Sequence, residues 1–538
     1  MNRARALWAL AGVVAASALL LSGRHGADPE TPAGLPGMPP PFLGVAVVGD
    51  GWLTGAVDAY GNVVDLRAPG PAGRALIENP AERQAAGTVE GDTGIQVWVR
   101  RGGEEVPMWR ADAVRQRYLP GSNVLRTVAR FGRDEVQVEQ AAQGEALAMR
   151  IAGGPRSRLR IDADAGCVQR RRGEVLTAVC AQGGGSAPDA AAASSRHGLY
   201  EELAWVELVT VDASGRAAVI DRAAASDRRW LRRARALGAG APPWARRMYD
   251  RSLLVLHALT DRQTGAVAAG ARDDWAYVWP RDAAAAAIAY AAAGYRLEAE
   301  RTVRFLLGLG LEHAARFHGD GSPVPGRDAQ GDAIGWVAAA SQAAGIGNAR
   351  QAAHILAGGG PIPWRDRADY WEGDPGNYLG NALASRADVS EFYRHIWGRK
   401  SDTPLAGLVR RAGEPDSGLD SAAAWAVRPF SRPRLYPAAR ATLKRLVSQG
   451  TPFGIAPGED WPGGEDPWSA PTAWTAWSLA ALGERRRALE LMATLRRAAT
   501  PAGDLPERVD IETGVPRSTT PLAWSHAFAI LALRELWP

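Results

Sequence analysis

"RDDWAYVWPRDAAAAAIAYAAAGY" occupies residues 272–295. Its first eleven residues hold two Trp, one Tyr, three Asp and two Arg, and nine of the thirteen residues after Asp282 are alanine. Alanine is the best helix former, Pro280 suits a first helical turn, and Gly294 suits a helix end. A helix therefore opens where the polar and aromatic residues stop. Its small side chains let it pack closely against neighbouring helices, so the stretch predicts an inner helix with a chemically crowded loop at its N-terminal end.

The surrounding chain supports that reading. Long helical runs such as "WARRMYDRSLLVLHALTDR", "LEAERTVRFLLGLGLEHAARF" and "TAWTAWSLAALGERRRALELMATLRRAA" fill residues 245–538, with glycine at helix ends. Twelve helices over this span leave about 24 residues for each helix and its loop, which suits six hairpins closed into a barrel. No fixed-period repeat points to a solenoid. Residues 43–222 have a different texture. "TGIQVWVRR", "DEVQVEQAA", "SRLRIDADA", "VELVTVDA" and "AAVIDRA" read as strands alternating at period two, which suggests an antiparallel sandwich. The expected fold is thus multidomain: an N-terminal antiparallel β-sandwich (43–222), a helical linker (223–244) and an (α/α)6 six-hairpin barrel (245–538).

Upstream, "MNRAR" and the apolar run Leu7–Leu21 form a signal peptide or signal anchor (1–21), followed by a Pro/Gly-rich linker (22–42). Export is expected either way, with a membrane tether if the segment is not cleaved. Cys167 and Cys180, the two cysteines, flank a hairpin-like turn, and an exported chain favours their pairing as a disulfide. The net charge of +5 is small for 538 residues. Its basic runs are short and scattered, which argues against a nucleic-acid partner. No phosphate-binding loop, H-E-x-x-H, C-x-x-C or G-x-S-x-G pattern occurs. No metal or organic cofactor is expected.

Carboxylates embedded among aromatics remain, in three places: the opening stretch, "RADYWEGDPGNYLGNAL" (367–383) and "GDLPERVDIETGVPRSTTPLAWSHAFAILALREL" (503–536). Each leads into an apolar helix. In a helical barrel, loops before the inner helices share one rim, so the three would converge. Aromatic planes stack on sugar rings, and Asp, Glu and Arg make paired hydrogen bonds to hydroxyls. Cleaving a glycosidic bond needs two carboxyls, one as acid and one as base or nucleophile. Each motif alone could be core aromatics and helix caps; three together favour an oligo- or polysaccharide site.

"DDWAYVWPRD" and "LPERVD…TPLAWSH" resemble the first and last signatures of glycoside hydrolase family 15, the glucoamylase-like enzymes. "GDGSPVPGRDAQGDAIGWVAAA" (319–340) and "GGEDPWSAPTAWTAWSLAAL" (463–482) resemble intervening segments, and the β-region is similar to the sandwich of bacterial members. The resemblance spans about 43–538. It implies the six-hairpin barrel and exo-acting hydrolysis of α-glucosidic bonds with inversion. Arg281 and Asp282 match the pair holding the innermost glucosyl unit, with Trp279 as a subsite wall. Glu507 matches the general base. Glu372 matches the general acid, with Trp371 lining the site, and Asp332 and Trp336 match secondary subsite residues. One departure is "FGIAPGED" (453–460), where Ile455 stands in place of a sugar-contacting Arg. Dextran or isomaltosaccharide exo-hydrolysis and trehalose cleavage suit the same scaffold, and a catalytically silent glycan-binding protein is the alternative of another class.

Overall fold

The computed structural model describes residues 46–78, 94–101, 103–144, 146–152, 157–162, 167–172, 175–180, 198–201, 205–210, 219–272, 275–347, 378–384, 407–411, 416–461 and 464–538. The strands form two sheets. One is ordered β1 (Ala46–Gly49), β2 (Thr54–Val57), β3 (Val63–Ala68), β5 (Gly94–Arg101), β11 (Ser157–Asp162) and β14 (Gly198–Glu201). On it, β4 (Arg74–Glu78) pairs with β3 and β6 (Glu104–Pro107) with β5. The other runs β12 (Cys167–Arg172), β13 (Val175–Cys180), β15 (Trp205–Thr210), β10 (Ala146–Ala152), β9 (Asp134–Gln143), β8 (Leu125–Phe131) and β7 (Ala113–Tyr118).

Period-two alternation explains how the sheets stack. On β8, Leu125, Thr127, Ala129 and Phe131 point inward. Val48, Val63, Ile95 and Val97 from the first sheet share one core with Val114, Phe131, Val136 and Met149 from the second. Pairing is antiparallel except between β13 and β15, which run parallel. The register sets Cys167 directly opposite Cys180, though their side chains lie outside what is described.

One expected strand is a helix. "AAVIDRA" leads into α1 (Val219–Leu231), which starts ahead of the expected boundary at 222/223. Val219, Ile220, Ala223 and Ala224 fall on one helical face and pack on Val124, Ala141, Ala146 and Ala148 of the sandwich. The β-branched pair reads as a strand locally, but the packing decides. The helix begun in "LEAERTVRFLLGLGLEHAARF" also ends earlier than expected, at Leu307, with Gly308 as its cap.

The helical half closes on itself. Its inner elements are α3 (Pro280–Ala293), α5 (Ala333–Ala344), α6 (Leu379–Ala384), the 3₁₀ helix Ser421–Ala426, α8 (Ser469–Ala481) and α10 (Ala523–Leu536). Each packs on the next in that order, and α10 packs back on α3, making a six-membered ring. Around it lie α2 (Pro243–Ala258) on α10, α4 (Arg296–Leu307) on α3 and α5, α7 (Tyr436–Ser448) on the 3₁₀ helix and α8, and α9 (Arg485–Ala498) on α8 and α10. The outer helices are amphipathic: α4 buries Ala299, Thr302, Val303 and Leu306, and α9 buries Ala488, Leu491, Met492, Leu495 and Ala498. By contrast, α3 buries every residue but Ala291 and Ala292. The remaining outer hairpin partners expected for a six-hairpin barrel fall outside the described residues. Among the described residues no helix is long and apolar enough to cross a membrane, and Leu7–Leu21 lies outside them.

Small residues set how closely the ring closes. A Cβ on Gly335 would lie 2.0 Å from the Ala384 carbonyl oxygen of the neighbouring inner helix. A backbone carbonyl cannot rotate away as a side chain can. Gly335→Ala is expected to destabilise the fold by roughly 1–3 kcal/mol through overpacking, read as a lower urea midpoint with an unchanged slope.

Candidate active site

The inner helices present their N-terminal ends at one rim, and the polar side chains gather there. Arg281, in the first turn of α3, is 4% exposed. Its Nη1 donates to Gln330 Oε1 at 3.0 Å and to Asp332 Oδ2 at 3.1 Å, while Nη2 lies 3.5 Å from Asp282 Oδ2. Its guanidinium also stands over Trp524 of α10, 4.7 Å from the ring centroid. One cation thus links three inner helices, since Asp332 is the N-cap residue of α5.

Three carboxylates share this neighbourhood. Burial pushes Asp282 up to about 7; Arg281 opposes the shift, and the charges of Asp332 and Glu507 add to it. Asp332, which has no exposed surface, is raised by burial against the pull of Arg281. Burial also raises Glu507, opposed first by the Ser518 hydroxyl and then by the Trp275 indole.

The two donors reach the two carboxylate oxygens of Glu507 separately. Trp275 Nε1–H donates to Oε1 at 3.4 Å, and Ser518 Oγ–H donates to Oε2. The backbone around Glu507 is tied down on both sides. Its N–H donates to Thr519 O at 3.0 Å, and its carbonyl accepts from Ser469 N–H at 2.9 Å, at the start of α8. Two residues earlier, Leu505 N–H donates to His526 Nε2 at 2.9 Å, and His526 Nδ1 meets Ser252 Oγ at 2.9 Å. Burial pushes His526 well down, so its ring is neutral and its Nε2 accepts.

The first and last of the three polar loops therefore converge, joined by the loop that holds Gln330 and Asp332. Arg281, Asp282, Asp332 and Glu507 are brought together. Trp279 is at the same place but buried, with Arg316 5.7 Å from its ring centroid; Trp275 is the more open ring beside Glu507. Trp336, expected as a secondary subsite residue, lies deeper than the rim in this structure. It has no exposed surface and packs edge-on against Trp425, Phe430 and Phe528 in the aromatic floor of the ring. Its position one turn beyond Asp332 carries it into the barrel interior. Glu372 and Trp371 lie outside the described residues. Ser518 and Gln330 were missed by sequence reasoning. Ser518 lies eleven residues beyond Glu507, and only the loop that folds back between them makes it a partner.

A carboxylate-rich rim set among indoles, on a closed ring of helices, defines an α-barrel protein with one candidate site at that rim. In fold, the chain is similar to a bacterial glucoamylase complexed with acarbose, at 14% sequence identity, 95% coverage of each chain and a TM-score of 0.65. Two further solved structures match over the same share of this chain, 55%. A wild-type glycosidase is covered over 99% of its length at 20% identity (TM-score 0.46), and the glucoamylase of Saccharomycopsis fibuligera over 94% at 14% identity (TM-score 0.44). No protein-family model and no curated protein matches the sequence. The fold is glucoamylase-like.

Removing one partner of a buried ion pair leaves the other charge unpaired in a poorly solvated place. Asp332→Ala is expected to cost roughly 3–5 kcal/mol of stability in denaturant unfolding. Asp332→Asn, which keeps an acceptor for Arg281 Nη1, should cost clearly less.

Proposed function

We propose that this chain is an exo-acting, inverting α-glucosidase of glucoamylase type that releases glucose from the non-reducing ends of α-glucans. The observation that carries the reading is the Glu507 carboxylate, held by one donor on each oxygen beside the Arg281–Asp282 pair. Two donors aim the carboxylate and favour its ionised form against the opposing effect of burial, as a base that must take a proton from water requires. The glucoamylase-like fold adds support.

In this mechanism Arg281 and Asp282 hold adjacent hydroxyls of the terminal glucosyl unit. Glu372 protonates the glycosidic oxygen, and Glu507 takes a proton from the water attacking the opposite face of C1. Inversion requires the two carboxyls to stand about 6.5–9.5 Å apart, with room for that water. Asp332 acts through Arg281. The substrate is an oligo- or polysaccharide, and no metal or organic cofactor takes part. Export by the apolar N-terminal segment and a Cys167–Cys180 disulfide belong to the same proposal.

Incubation with maltose, isomaltose, trehalose and dextran, following glucose release, tests the reading. Maltose turnover is expected. Turnover of trehalose or dextran alone would shift the specificity, and release from none would leave a glycan-binding protein. Glu507→Gln should lower kcat by at least roughly 100-fold; wild-type activity in that variant would remove the base assignment. Ser518→Ala tests the tuning of the base. The Ser518 hydroxyl stabilises the ionised form, so its loss raises the Glu507 pKa. The acid limb of the kcat/KM profile should then move to higher pH, and an unmoved limb would show that Ser518 does not tune Glu507.

A further inference from the structure

Three residues before Glu507, Asp504 is fully buried at the contact between barrel and sandwich. Its Oδ2 lies 2.8 Å from the hydroxyl of Tyr118, which stands at the end of β7 in the sandwich. Its Oδ1 lies 3.4 Å from Nε of Arg251 on α2. Arg251 also stacks over the Tyr118 ring, 3.7 Å from its centroid, and donates from Nη1 to Ser122 O at 3.1 Å. The same Tyr118 hydroxyl accepts from Val47 N–H at 2.8 Å and lies 2.8 Å from Val47 O, so β1 is joined to the cluster. Burial lifts Asp504 to about 6, opposed by Arg251 and Tyr118. A buried carboxylate held by a residue of another domain fixes the backbone that carries it. The segment running from Asp504 to Glu507 is the one that aims the base.

We infer that Tyr118 of the sandwich is a positioning residue for Glu507, acting through Asp504. The inference rests on the reading of Glu507 as the base. It gives the sandwich a part in the reaction without contact to sugar. The chemistry asks for it: a general base displaced by about 1 Å loses on the order of 100-fold in rate, and Asp504 anchors the base loop to the sandwich.

The test uses the full chain, with Tyr118→Phe deleting one hydroxyl and keeping the ring beneath Arg251. Expected are a kcat on maltose lower by roughly 10–100-fold, a KM near the wild-type value, and faster amide hydrogen exchange confined to 503–510. Asp504→Asn is the rescue. Its amide donates to the Tyr118 oxygen, the phenol proton turns to Val47 O, and kcat and exchange over 503–510 should stay closer to wild type than in Tyr118→Phe, while the charge lost beside Arg251 lowers the stability of the whole chain. Wild-type kcat with wild-type exchange in Tyr118→Phe overturns the inference. So does a loss of kcat accompanied by faster exchange over the whole chain, which marks a structural role alone. A wild-type chain that releases no glucose while Tyr118→Phe still loosens 503–510 contradicts the hydrolase reading and supports the anchoring.

Discussion

A buried arginine on an alanine helix is the constraint around which the rim is organised. Arg281 cannot be left in an apolar ring without partners, because an unpaired buried charge costs several kcal/mol. Besides Asp282 on its own helix, its partners come from neighbouring ones: Gln330 and Asp332 from the approach to α5, and the face of Trp524 from α10. Satisfying one guanidinium therefore sets the relative positions of three inner helices at their N-terminal ends. Asp282 and Glu507 are close enough to that cluster to feel each other's charge. Ring geometry and site geometry share one cause.

The alanine run makes this possible from below. A run made mostly of alanine lets the helix of residues 280–293 bury nearly all its surface, and Gly335 lets its neighbour approach a backbone carbonyl. The outer helices carry the ordinary amphipathic pattern. A ring of bland helices with crowded loops is therefore a division of labour between packing and chemistry.

Much of this was legible in the chain. Composition and period separated the sandwich from the helical half, and "WPRD" and "LPERVD" mark Arg281, Asp282 and Glu507 because polar residues cluster where an apolar helix starts. Tertiary packing decided the rest. Val219 and Ile220 look like strand residues and become one face of a helix because the sandwich offers an apolar surface to cover. Trp336 looks like a ligand-binding aromatic and becomes floor, held by three other rings. Ser518 and Tyr118 could not be found by spacing, since one depends on a loop returning on itself and the other on two domains meeting. Ile455, the departure from the glucoamylase pattern, is buried and donates its N–H to Thr472 Oγ1 at 3.0 Å.

The sandwich is bound to the barrel by specific polar contacts. Thr54 Oγ1 donates to Ala258 O at 3.0 Å, Asn123 Nδ2 to Leu254 O at 3.1 Å, and Arg262 Nη1 to Asp50 Oδ2 at 3.1 Å. Such contacts hold two domains in one orientation, which the anchoring of the Asp504–Glu507 segment across their boundary needs. The most direct measurement is the anomeric form of the glucose first released by the full chain from the non-reducing end of a maltooligosaccharide longer than maltose, followed by proton NMR before mutarotation. Base catalysis by Glu507 on water predicts β-glucose. First-formed α-glucose would mean that a carboxylate attacks the sugar itself, and would contradict the role given to Glu507.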